Sequence, residues 1–199
     1  MPFNITDFRA RLTGDGARPN LFEVRMAFPA IAGGTADSTL LTFTCRAAQL
    51  PGSSIGSVIV PYFGREVKLA GNRTFPDWTM TIINDENFKV RNAFEKWMQG
   101  INANFSNRRN STFATPASYS RPATVIQYGK RGQIIKNYQL VGAFPIDISP
   151  IDLDWGANDT IEEYAVTLQY QYWESDTTIP RSSTVSVPTT STETSGPVG

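Results

Sequence analysis

Histidine is missing from all 199 residues of the chain. Its absence removes the side chain most often used as a general base near neutral pH, the commonest zinc ligand, and every Ser–His or Cys–His nucleophile pair. Cysteine occurs once, at Cys45, so no disulfide can close within the chain. Stability must then come from a core, as in a reducing compartment. Charge of one sign is also missing, because Lys plus Arg equals Asp plus Glu at 18 each. No overall field draws in nucleic acid or an anionic membrane. The basic pairs Arg108–Arg109 and Lys130–Arg131 sit in polar stretches and read as solvated loop charges. No apolar run approaches the ~20 residues that span a bilayer. The first residues lack the basic head and apolar segment of a secretory signal. The expectation is a chain that stays inside the cell that makes it, without membrane insertion. The sequons at Asn4, Asn72 and Asn158 then carry no glycosylation message.

Two motifs invite an enzymatic reading and fail it. Gly52-Ser-Ser-Ile-Gly56 matches the nucleophile elbow G-x-S-x-G. That elbow needs a strand before it, a helix after it and a later histidine, whereas Pro51 precedes this one and a Val/Ile strand follows. The acidic groups Asp85–Glu86, Asp152 with Asp154, and Glu162–Glu163 could in principle divide acid and base roles or hold a hard cation. Asp85–Glu86 better suits the positive end of a helix, and Glu162–Glu163 opens a strand beside a turn at Asn158–Asp159. No calcium-loop spacing or glycine-rich phosphate cradle is present. The chain is expected to need no cofactor and not to be an enzyme.

What the sequence does carry is period-two patterning. Phe22, Val24, Met26 and Phe28 alternate with Glu23, Arg25 and Ala27, as in a strand with one buried face. The pattern returns at Val67 and Leu69, at Trp78, Met80 and Ile82, and at Tyr164, Val166, Leu168, Tyr170 and Tyr172. Further strands are expected at 40–48, 57–63, 123–128, 134–141 and 146–153, which are rich in Val, Ile, Thr and aromatics. Cys45 accordingly reads as a small buried residue in a strand. One segment breaks the period: Val90, Phe94, Trp97 and Ile101 fall on one stripe of a helix over about 87–102. Asn84, Asp85 and Asn87 are candidate caps, and the stripe reads as core packing. This is the one convincing helix. Residues 30–38 read as a loop joining the first two strands.

Short strands with turns between them and a single covering helix predict a mainly β, antiparallel sandwich or barrel. Residues 1–175 form that domain. Residues 176–199 shift to Ser, Thr and Pro with few large apolar side chains and read as an appendage. The strands hold few Pro or Lys guards, so their open edges call for pairing with another chain.

The wording of the sequence is more specific. Gly14–Phe22, Cys45-Arg-Ala-Ala-Gln-Leu-Pro-Gly52, Val60-Pro-Tyr-Phe-Gly-Arg65, Lys68–Phe75, Trp78-Thr-Met-Thr-Ile-Ile-Asn-Asp-Glu86, Phe88–Met98 and Asp159–Tyr164 with Tyr172–Trp173 occur in order. From about residue 8 to residue 176 this succession resembles the tail tube proteins of T4-like contractile-tailed bacteriophages. The resemblance implies a homo-hexameric ring, with strands of all subunits joined in one continuous β-barrel around a lumen. It implies stacking of rings into a tube within the virion, assembled in the host cytoplasm. The implied partners are a contractile sheath protein outside, a tape-measure protein and then DNA in the lumen, and baseplate and tail terminator proteins at the ends. The Gly-rich stretch at 31–38 and the tail from 175 depart from the family pattern.

Segment 49–57 resembles the family loop that reaches from ring to ring, which makes Leu50, Pro51, Gly52, Ser53, Ser54, Ile55 and Gly56 the expected stacking contact. A DNA conduit needs a polar wall that is not strongly basic, since each phosphate-neutralising cation adds salt-dependent attraction. Strands 65–70, 77–83 and 164–172 are the candidates for it. Two other readings remain open at this point. One is the inner tube of a type VI secretion system or phage-derived bacteriocin; the other is a carbohydrate-binding or hydrolytic β-sandwich using Trp78, Trp155, Trp173 and the acidic pairs.

Overall fold

The computed structural model describes residues 4–12, 14 and 16–177. The expected appendage therefore lies outside the described residues apart from Asp176 and Thr177. Among the described residues thirteen α-helices and β-strands follow one another, with one 3-10 turn at Ser111–Phe113: α1 (Ile5–Arg11), β1 (Phe22–Met26), α2 (Thr35–Thr44), β2 (Cys45–Ala48), β3 (Ser54–Tyr62), β4 (Arg65–Thr74), β5 (Trp78–Ile83), α3 (Lys89–Ile101), α4 (Pro116–Tyr119), β6 (Arg121–Tyr128), β7 (Ile134–Ile148), β8 (Glu163–Gln169) and β9 (Tyr172–Ser175). Every strand pairing is antiparallel.

Seven strands form one sheet in the order β1-β6-β7-β8-β5-β2, with β9 also on β7; β3 and β4 pair separately. The long β7 is the hinge of this sheet. Its first part pairs with β6 and β9 and its last part with β8. Between them Gly142 takes φ of 70°, where a side chain would be strained, and register shifts flank the bend. The two parts of the sheet thus share a single core. Val24 and Met26 of β1, Val125 of β6 and Leu140 of β7 meet Met80 and Ile82 of β5 and Val166 and Leu168 of β8 in it. Strand alternation is the cause: β5 and β8 bury every second residue.

Helix α3 closes this core. Val90, Phe94 and Trp97 are buried and Ile101 packs on the cluster, as the stripe predicts. Phe28 meets Phe94 edge to face at 5.0 Å, and Trp97 stacks on Phe94 at 6.2 Å. The buried indole donates from Nε1 to the Tyr119 carbonyl at 2.7 Å, so its polar edge is not left unpaired. Of the three candidate caps, Asp85 acts: its Oδ1 accepts from Lys89 N–H at 3.0 Å. Asn84 instead donates to Glu162 at 2.8 Å, joining the helix start to the approach of β8.

Several expectations are corrected here. The helix at 87–102 is not alone, because α1, α2 and α4 are helical too. Residues 30–38 do not join two strands: the loop ends at Gly34 and α2 runs to Thr44, so of the strand expected at 40–48 only Cys45–Ala48 exists. The Thr-rich composition favours a strand, but three local bonds favour the helix. Gly34 N–H donates to Asp37 Oδ2 at 2.9 Å, and the Thr42 and Thr44 hydroxyls donate to carbonyls one turn earlier at 3.2 and 3.0 Å. Leu41, fully buried against the core, supplies the tertiary contact that overrides propensity. The strands expected at 134–141 and 146–153 are one strand that ends at Ile148. The strand through 164–172 breaks after Gln169, and its continuation as β9 pairs with β7.

Candidate functional site

The hairpin β3–β4 stands apart from the sheet and carries exposed apolar residues along both strands. Its turn is Phe63–Gly64, with φ of 43° and 81°, the left-handed pair that a tight two-residue hairpin needs. Register then decides which side chains share a face. Val58 faces Leu69, Val60 faces Val67 and Tyr62 faces Arg65, whereas Ser57 faces Ala70, Ile59 faces Lys68 and Pro61 faces Glu66. One face is therefore a continuous strip of Val58, Leu69, Val60, Val67 and Tyr62, and the other is mixed. All of β3, and all of β4 except Gly71, is exposed. At the tip Phe63 is 93% exposed, with Tyr62 packed edge to face on it at 4.6 Å. A two-stranded hairpin with an uncovered apolar face is marginal alone in water, so this arm is built to be covered.

Its root is rigid. Trp78 Nε1 donates to the Gln49 carbonyl at 2.6 Å and Trp173 Nε1 to the Gly52 carbonyl at 2.9 Å. Pro51 between them is buried, and the Ser54 and Thr74 hydroxyls meet at 2.7 Å across the first pair of the hairpin. The segment expected to stack rings is thus divided by the structure. Leu50, Pro51, Gly52 and Ser53 form a strap tied by the buried Trp78 at Gln49 and by the partly buried Trp173 at Gly52, while Ser54, Ile55 and Gly56 open β3. Leu50 and Ile55 remain about half exposed. The sequence reading singled out residues 50–56, on the strap and the first residues of β3, and did not single out the longer arm beyond them. The signal was present in Tyr62-Phe63-Gly64, an aromatic pair before a turn glycine in an alternating segment.

A second surface is polar. The face of β5 and β8 turned away from the core carries Thr79, Thr81, Ala165 and Thr167, with Ile83 opposite Glu163 at one end and Thr79 and Thr167 hydroxyls 3.2 Å apart. Its one prominent cation, Arg46, is engaged by Glu163. At the far end of the sheet, on β1, Glu23 accepts from Arg25 and from the Tyr128 hydroxyl. Arg25 chiefly, and Tyr128 with it, hold the Glu23 carboxyl below its ordinary range. Burial pushes the Cys45 thiol up to about 12, and Cys45 is half-buried in β2.

The remaining singled-out residues are dispersed. Among the described residues no group of three or more acidic, Cys or His side chains is arranged to hold a metal. Asp85 caps α3, Glu162 accepts from Asn84, and Asp154 accepts from Gly156 N–H at 2.9 Å in a loop. Trp78 is buried and Trp173 packs on Tyr138 at 5.4 Å, so both anchor the hairpin root. Trp155 is different: it is 101% exposed on the loop before β8, with Leu153 and Ile161 also exposed. Ile5, Phe8 and Leu12 of the α1 region are likewise exposed and spaced as one helical stripe.

Comparison with known proteins places this arrangement. A family model described as phage tail tube protein matches residues 17–176. The tail tube protein gp19 of Enterobacteria phage T4 is 36% identical over 167 residues, covering 83% of this chain and 96% of that protein. The tail tube protein of Serratia phage KSP90 is 30% identical over 171 residues, covering 83% and 93%. Among solved structures, a chain in the baseplate of the anti-feeding prophage superposes with TM-score 0.59 at 15% identity, covering 80% of this chain and 95% of that one. A chain in the sheath-tube complex of an extracellular contractile injection system gives 0.55 at 14% identity, covering 87% and 97%. These last two show a shared fold, whereas the sequence matches run through nearly every described element. The chain belongs to the phage tail tube protein family.

Proposed function

We propose that this chain is a non-enzymatic building block of a phage tail tube. Copies join side by side into a hexameric ring and rings stack into a hollow tube, inside a contractile sheath and between baseplate and terminator proteins. The observation that carries the reading is the β3–β4 arm. Among the described residues nothing covers its five-residue apolar strip, and the end strands β1 and β2 have no partner on their outer edges. Both features are completed by further copies of the same chain. A hairpin laid on a neighbour buries the strip, and edge strands that meet between neighbours close the sheet into a ring.

The tied strap Leu50–Ser53 sets the direction in which the arm leaves the domain, and with Ile55 it forms the ring-to-ring contact. The polar face of β5 and β8 suits the channel wall. Threonine and alanine hydrate without binding phosphate, and the Arg46–Glu163 pair is locally neutral, so a tape-measure protein and later DNA would pass without being held. The last strand, β9, ends at Ser175, which fits a domain of residues 1–175 with the tail beyond it as an addition to the tube unit. Sequence similarity at 36% to a phage tail tube protein favours this reading over a secretion or bacteriocin tube, for which only the fold is alike.

Negative-stain microscopy of the purified full chain tests it. Hollow rings with sixfold symmetry, and tubes at higher concentration, are expected. Solid single particles at every concentration, alone and with sheath and baseplate proteins present, would overturn it.

A further inference from the structure

Arg108 and Arg109, read from the sequence as solvated loop charges, are gathered by the fold. With Lys96 of α3 they line one open cleft of about 410 Å³, beside Gln99, Ser106 and Asn110. Among the described residues that line it there is no carboxylate. The loop carrying the arginines is held by its own backbone. Ala103 N–H donates to Arg108 O at 3.0 Å, Asn107 N–H to Ala103 O at 2.8 Å and Asn110 N–H to Gly100 O at 2.9 Å. Asn104 N–H adds a bond to Gln99 Oε1 at 3.2 Å, and the Arg109 guanidinium lies 5.1 Å above the Tyr119 ring. Glu95, the acid next to Lys96 in sequence, is engaged by Arg91 at 3.0 Å. Three cations thus line one cleft whose own wall holds no carboxylate, which favours a ligand that brings negative charge to them. Ile31 adds apolar surface to the cleft and is 39% exposed, and Phe105, next in the chain to the lining Ser106, is 103% exposed.

We propose that this cleft docks an acidic peptide segment of another protein, with its carboxylates on Lys96, Arg108 and Arg109 and an apolar side chain against Phe105. Arginine with an adjoining aromatic is the composition of an interface anchor, and the planar guanidinium matches a carboxylate with two parallel bonds. A nucleic acid fits less well. Its phosphates need a cationic track, and on the far side of Lys96 the neighbouring groove carries Glu95 and Asp147, which interrupts one. The inference stands on this charge placement alone and survives or fails independently of tube assembly.

Fluorescence anisotropy on the full chain tests it, with labelled peptides of alternating glutamate and leucine, alternating lysine and leucine, and a single-stranded oligothymidylate as probes. The glutamate peptide is expected to bind, more weakly as salt rises, and to lose roughly tenfold in affinity in Arg108→Gln/Arg109→Gln, the scale of lost charge-assisted bonds. Lys130→Gln/Arg131→Gln, in the turn between β6 and β7, is expected to leave it unchanged. Should the double variant melt early, Lys96→Gln decides, with a loss of roughly threefold expected from one missing cation. Binding that is absent, indifferent to both variants, equally lowered by the Lys130/Arg131 change, or tighter for the oligothymidylate would overturn the proposal.

Discussion

Replacing Val60 and Leu69 by threonine separates folding from assembly. Both residues lie on the apolar face of the β3–β4 arm and both are about half exposed in the single subunit. Threonine keeps the branched shape that strands favour, so the hairpin and its register should persist. Burying the exposed half of each aliphatic side chain against a second copy is worth about 1 kcal/mol. A threonine hydroxyl carried into the same contact without a partner costs about 1 kcal/mol more. Two sites then weaken each hairpin contact by about 4 kcal/mol, close to a thousandfold in the association constant. The isolated subunit loses almost nothing, within about 0.5 kcal/mol, because neither side chain is in its core. Sedimentation velocity over a concentration series reads the association, and thermal melting of the smallest species reads the fold. Expected are a melting temperature within about 1–2 °C of the parent and assembly displaced to far higher concentration. Assembly at the parent's concentration, or a collapse of the melting temperature, would show that the strip is not an intersubunit contact or that it belongs to the subunit's own core.

Three further outcomes follow from other parts of the molecule. Trp97→Ala removes a fully buried ring and its bond to the Tyr119 carbonyl, and should cost roughly 3–5 kcal/mol in denaturant unfolding of the subunit; a loss below about 1 kcal/mol would contradict its place in the core. Among the described residues the Tyr164 hydroxyl has no hydrogen-bond partner although it is buried, so Tyr164→Phe should leave the subunit as stable or raise its stability by about 1 kcal/mol, and a clear destabilisation would reveal a bond that matters. Burial raises the Cys45 thiol to about 12 and also raises the Tyr164 and Tyr170 phenols. Raised acids keep more protons when folded, so their stabilising effect is complete below the unfolded values near 9 and 10 and is lost as pH climbs through the folded ones. Stability measured by urea titration should therefore decline from about pH 9 to about pH 12, with a shallower decline at the start in Cys45→Ser; a flat profile would refute the assignment.

What could be read without coordinates was whatever rests on local periodicity. Alternation at Trp78, Met80 and Ile82 and at Tyr164, Val166 and Leu168 marks two central strands, because a pleated backbone turns successive side chains to opposite faces. The four-three-four spacing of Val90, Phe94, Trp97 and Ile101 marks α3 for the equivalent helical reason. The missing histidine and the run of family words also lay in plain text. The helix α2 did not, since its Thr-rich segment favours a strand by composition and is helical through Asp37 and the buried Leu41. Nor did the bend at Gly142 that lets one strand serve both parts of the sheet.

Pairing register, and contacts between segments far apart in the chain, were decided only in three dimensions. Val58, Val60, Val67 and Leu69 alternate with other residues in a way that identifies strands, but only the turn at Phe63–Gly64 brings the four onto one face. Pro51 and Gly52 look like loop residues until Trp78 and Trp173 are seen holding that strap. Lys96 and the Arg108–Arg109 pair line one cationic cleft because the loop after α3 returns to the end of that helix. A sequence states which side chains a segment can turn to one side; which segments then share that side depends on long-range closure, and no single stretch of the chain contains it.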